Sequence, residues 1–135
     1  MQINSHLLYN ALQKQAAQAA EQSFTTGTDR SIGFALGLQK AASIVFDLTH
    51  SVGLFVDVIR IYSELYVATD DLVSEYFEAA NPPEALEPLW GEIEGLLRAR
   101  EIVDLHKRAA EAEQRAVEED EPPEPKPEVF YPYED

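Results

Sequence analysis

Between Leu54 and Phe77 apolar residues recur at every third or fourth position: Phe55, Val58, Ile59, Tyr62, Leu65, Tyr66, Leu72, Val73, Tyr76 and Phe77. Asp57, Arg60, Glu64, Asp71, Glu75 and Glu78 fall on the other side. A period near 3.6 residues with one wet face predicts a long amphipathic helix, around which the rest of the chain is expected to pack. The β-branched run Val52 to Tyr62 would also suit a strand. Asp57, Arg60 and Glu64 break its alternation, however, and their spacing favours ion pairing along a helix.

The same periodicity marks three more helices. Residues 5–22 carry a thin stripe of Leu8, Leu12, Ala16 and Ala19, with Asn4 or Ser5 as N-cap and Gly27 as a stop further on. From about Arg30 to His50, Phe34, Leu38, Ala41, Val45 and Leu48 share a face opposite Lys40, Ser43, Asp47 and His50. Gly33, Gly37 and Ala41 place a small residue at every fourth position of this segment. Because glycine inside a helix costs up to about 1 kcal/mol relative to alanine, another backbone should pass close by. The alanine face of the first helix is the expected neighbour, and Ser51 to Gly53 are expected to break the chain before the next helix.

Asn81, Pro82 and Pro83 end the Leu54 to Phe77 helix, since proline has no amide to donate and disfavours helical geometry in the residue before it. A fourth helix is expected from near Glu87, with Pro88 in its first turn and a core stripe of Leu86, Leu89, Trp90, Ile93, Leu96 and Leu97. Gly91, Gly95 and Ile102 fall on the side away from that stripe, which hints at a second contact surface, although the simpler expectation is that they are exposed and incidental. Beyond Leu105 the stripe ends, while helix formers and opposite charges persist, Asp104 with Arg108 and Lys107 with Glu111 among them. A solvated, projecting helix follows, of the kind that ends against a partner or a second copy. The fold class is therefore all-α: an antiparallel bundle of about four helices over residues 1–117, followed by an acidic tail, 118–135.

Composition sharpens the picture mainly through charge. The 135 residues carry a formal net charge of −15. Residues 1–50 are neutral, 51–117 hold fourteen acids against six bases, and the last eighteen hold eight acids against Lys126 alone. Such a surface repels phosphate backbones and attracts a basic protein partner, so direct nucleic-acid binding is disfavoured. With no cysteine there is neither a disulfide framework nor a thiolate site. The N-terminus lacks the basic flank and apolar run of a signal peptide, and Asp47, His50, Asp57, Arg60 and Glu64 interrupt the most apolar stretch. A cytoplasmic protein without a membrane span is expected.

Two acidic pairs stand out as candidate chemistry. Glu75 and Glu78 form ExxE, and Glu101 and Asp104 form ExxD on the next helix. This arrangement resembles the metal-binding signature of the MazG-type all-α nucleotide pyrophosphatases. The resemblance implies four carboxylates on two facing helices, holding Mg²⁺ ions that clamp a nucleoside triphosphate. Asp47 and His50 similarly resemble half of a di-iron bundle site, although a solvated helix face explains them more simply. No nucleophile motif, glycine-rich phosphate loop or basic-aromatic patch occurs in the sequence.

The tail differs in kind. Residues 122–135 contain five of the eight prolines, which favours extended, polyproline-like backbone over helix. Val129, Phe130, Tyr131 and Tyr133 are large apolar groups in a peptide too short to bury them, and Glu134 and Asp135 close the chain. Aromatic anchors on an acidic spacer have the form of a short linear ligand. The expected function is thus non-enzymatic: an adaptor, inhibitor or assembly component that needs no cofactor and engages a protein through its acidic surface and this peptide. A MazG-like pyrophosphatase using Glu75, Glu78, Glu101 and Asp104, and an acidic nucleic-acid mimic, are the alternatives.

Overall fold

Local capping sets the helix boundaries. The Asn4 side chain accepts the Leu7 amide at 3.1 Å and starts helix α1, Ser5–Thr26. Gly27, at φ 64°, closes it in the left-handed conformation with its amide on the Ser23 carbonyl. One residue later Thr28 caps helix α2, Asp29–Ser51, by accepting the Ser31 amide. The structure, a computed structural model, describes residues 1–78 and 83–120.

The break expected at Ser51 to Gly53 is present, with Gly53 at φ 132°. The segment beyond it departs from expectation. Phe55–Asp57 is a short strand, β2, paired antiparallel with Gln2–Asn4, β1, in the register Gln2 to Asp57, Ile3 to Val56 and Asn4 to Phe55. Alternation over three residues is too brief to read against a longer helical period, and the pairing is held by tertiary contacts. Ile3 and Val56 are buried. The buried Ser5 hydroxyl lies 2.9 Å from the Leu54 carbonyl and accepts the Thr49 hydroxyl at 2.7 Å, tying the start of α1 to the turn after α2.

Helix α3 therefore begins at Val58, where Asp57 accepts the Ile59 amide, and runs to Glu78. Helix α4 spans Pro83–Asp120, starting earlier than Glu87 and carrying Pro88 inside it. Its residues 112–119 are exposed, so it continues as the solvated shaft that its charge pattern predicts. The domain is an all-α bundle with a two-stranded clasp at one end. The tail residues Val129, Phe130, Tyr131, Tyr133, Glu134 and Asp135 lie outside the described residues.

Helix α2 takes the central place expected of α3. It packs against α1 on one side and α4 on the other, while α3 packs mainly on α4. Leu38, Ala41, Val45 and Leu48 of α2 meet Leu8, Leu12, Ala16 and Ala19 of α1 in one core, as their stripes predict. By length and composition α2 could also cross a bilayer, a test that the buried core helix of a bundle passes equally.

The glycines of α2 do face another backbone, but it belongs to α4 rather than α1. A Cβ added at Gly37 would overlap the Glu92 carbonyl and stand 2.9 Å from the Gly95 Cα. One added at Gly33 would run into the Pro88 carbonyl, and one at Gly91 into that of Arg30. The two helices run parallel here, main chain on main chain. Gly91, Gly95 and Ile102, expected to be exposed, are buried, and Ile102 is only 4% accessible. A bidentate ion pair, Arg30 to Glu94 at 2.7 and 2.9 Å, spans the same junction. Its hydrogen bonds hold the Glu94 carboxyl below the usual carboxylate range against the opposing effect of burial. The stability this contributes is present above the ordinary carboxylate pKa and is lost as pH falls through the lowered one.

Replacing Gly37 or Gly95 with alanine should therefore destabilise the fold by about 2–3 kcal/mol, read by denaturant titration, because a backbone cannot rotate away as a side chain can. Intrinsic helix propensity alone would give a gain of roughly 1 kcal/mol. The sign of the change thus tests the contact.

Candidate functional site

Helix α3 carries two apolar stripes offset by one residue, hence about 100° apart around its axis. Val58, Ile61, Leu65 and Leu72 are buried in the bundle. The second stripe is Ile59, Tyr62, Tyr66 and Val73. Of these, Ile59 and Tyr66 are 68% and 66% exposed, and Phe77 at the helix end is 78% exposed. All three were expected in the core. Its principal neighbour, α4, does not cover an apolar arc this wide.

Tyr62 and Tyr66 of this second stripe line one side of a groove of about 590 Å³ between α3 and α4, within the range of roughly 300–1,000 Å³ usual for ligand pockets. Tyr62, Tyr66 and Val67 line it from α3, and Leu96, Leu97 and Arg100 from α4. Arg100 has its guanidinium 5.8 Å from the centre of the Tyr62 ring and makes no ion pair among the described residues. An apolar trough with a free cation at its edge is suited to aromatic side chains flanked by carboxylates.

At one end of the groove the Tyr62 hydroxyl donates to Asp104. Asp104 was expected to pair with Arg108, whereas the expected partnership of Lys107 and Glu111 is present at 4.0 Å. Burial, followed by the bond to Asp104, pushes the Tyr62 phenol up from 10.0 to about 12.

These contacts also place the four acidic residues of the pyrophosphatase resemblance. Tyr62 lies level with Asp104, and Tyr76 stacks on Trp90 at 5.5 Å, so α3 and α4 form an antiparallel hairpin. Glu75 and Glu78 therefore sit near one end of it and Glu101 and Asp104 near the other, roughly 20 Å apart at about 1.5 Å per residue. Glu101 is instead paired with Arg98 at 2.7 Å. Among the described residues no three candidate ligands converge on a possible cation position. The donor set does not fit a magnesium clamp, and no step is derived through one. The His50 ring stacks against Phe46 at 4.2 Å, with Nδ1 3.0 Å from the Phe46 carbonyl oxygen.

Comparison with known family models, characterised proteins and solved structures gave no match to this chain.

The raised Tyr62 pKa has a defined sign. Its contribution to stability is complete below pH 10.0 and is lost as pH rises towards about 12. Tyr62→Phe should remove one phenolate absorbance step at about 12 and flatten the alkaline loss of stability. Near neutral pH it should cost about 1 kcal/mol, the usual net value of one hydrogen bond.

Proposed function

We propose that this protein is a non-enzymatic interaction module, in which a helical body carries a C-terminal peptide to a protein partner with a basic surface. Phe130, Tyr131, Tyr133 and Val129 are the anchors that fill pockets on that partner, and Glu134 and Asp135 meet its Arg or Lys side chains. The observation that carries this reading is the shaft of α4. Its exposed residues 112–119 extend beyond the helix packing, so the peptide is attached at a point away from the core. The charge of −15 supports it too, because long-range attraction speeds encounter with a basic protein. Aromatic groups in the peptide add the contact energy that charge alone lacks.

The test is affinity capture with full-length protein and with Phe130→Ala combined with Tyr131→Ala. The double variant should lose capture while its helical circular dichroism and melting temperature stay unchanged. Added salt should weaken wild-type capture as the charges are screened. Capture that survives loss of both rings and responds to salt alone would assign binding to the acidic body, as for a nucleic-acid mimic, and overturn the proposal.

A further inference from the structure

We infer that the groove between α3 and α4 is the resting dock of the chain's own C-terminal peptide, so that a partner must compete with it for the same rings. The inference rests on reading residues 129–133 as a docking peptide and adds where that peptide sits when no partner is present. Three observations select this occupant.

The first is reach. From Arg100 at the groove to Asp120 at the end of α4, the helix covers about 30 Å at 1.5 Å per residue. Returning from Glu121 to Tyr131 in polyproline-like backbone covers about 34 Å at roughly 3.1 Å per residue. The chain is just long enough to set Phe130 and Tyr131 in the groove, with the peptide lying antiparallel to the helix it leaves. The prolines favour the extended backbone that this path needs.

The second is charge. At the groove, Arg100 is available to Glu128 or Glu134 on either side of the rings, where charge-assisted hydrogen bonds to a guanidinium are strong.

The third is chemical likeness. The groove presents Tyr66, Val67 and Leu97 to solvent, and the peptide brings four large apolar groups of its own. A second copy could supply the same peptide, but two bodies of charge −15 repel each other. Covalent linkage raises the local concentration of the chain's own peptide to the order of millimolar.

The full chain offers a clean test because it has no native cysteine. A nitroxide attached through Asp135→Cys should broaden the methyl resonances of Val67 and Leu97 and spare those of Leu7 on α1. Phe130→Ala with Tyr131→Ala, or Arg100→Glu alone, should restore the lost signals. A mixed sample, with isotope in one copy and nitroxide in the other, should show no broadening. Absence of broadening in the full chain, equal broadening in the double-alanine variant, or broadening confined to the mixed sample would each overturn the inference. Partner capture is read independently, so a peptide that captures a partner without ever occupying the groove defeats this inference and leaves the proposed function standing.

Discussion

The architecture depends on the contact of two main chains. Where Gly33 and Gly37 of α2 meet Gly91 and Gly95 of α4, no side chain separates the helices, and the carbonyl groups of Arg30, Phe34, Pro88 and Glu92 fill the space a Cβ would need. Two helices drawn this close become a central pair. The other two then occupy its flanks, α1 against α2 and α3 against α4. Dispersion between closely packed backbones and the Arg30 to Glu94 bridge offset the entropy that four helical glycines cost.

That placement determines what α3 exposes. In a squarer bundle a helix has two neighbours, and an apolar arc as wide as that of α3 would be covered by both. On the flank it has α4 as its principal neighbour, and the stripe through Ile59 and Tyr66 is left at the surface. The groove is thus a consequence of how tightly α2 and α4 approach one another. The clasp between Gln2–Asn4 and Phe55–Asp57 fixes the far end of the arrangement, and Ser5 links it to α2 through Thr49.

Much of this was legible in the sequence where the signal was local. The Asn4 and Gly27 boundaries follow from local chemistry within a turn, and the α1 and α2 stripes are where periodicity puts them. The solvated end of α4 follows from the loss of apolar residues after Leu105. What periodicity could not supply was the choice of neighbour. It registered that the glycines of α2 needed a close backbone but could not tell α1 from α4, and it read Gly91 and Gly95 as incidental because glycine adds nothing to an apolar stripe. The strand at Phe55–Asp57 is set by its pairing with β1, a contact across more than fifty residues of sequence. For the candidate site, the double stripe of α3 was visible in Ile59, Tyr62, Tyr66 and Val73. Its meaning was not, since a surplus of apolar positions looks the same whether a second helix covers it or none does. The acidic pairs failed for a similar reason, because spacing within each helix says nothing about the level at which two helices stand side by side.

Contact between main chains also limits how this protein can change over evolutionary time. In an ordinary core a residue that grows can be accommodated by an opposite one that shrinks, and lineages drift through such exchanges. Nothing is smaller than glycine, so no reciprocal replacement exists at this junction. Both pairs lie 58 positions apart along the chain, Gly33 to Gly91 and Gly37 to Gly95. Descendants of a common ancestor would keep that double spacing, apart from loop insertions, after the surrounding sequence had diverged beyond recognition, which makes it the mark by which remote kin should be sought.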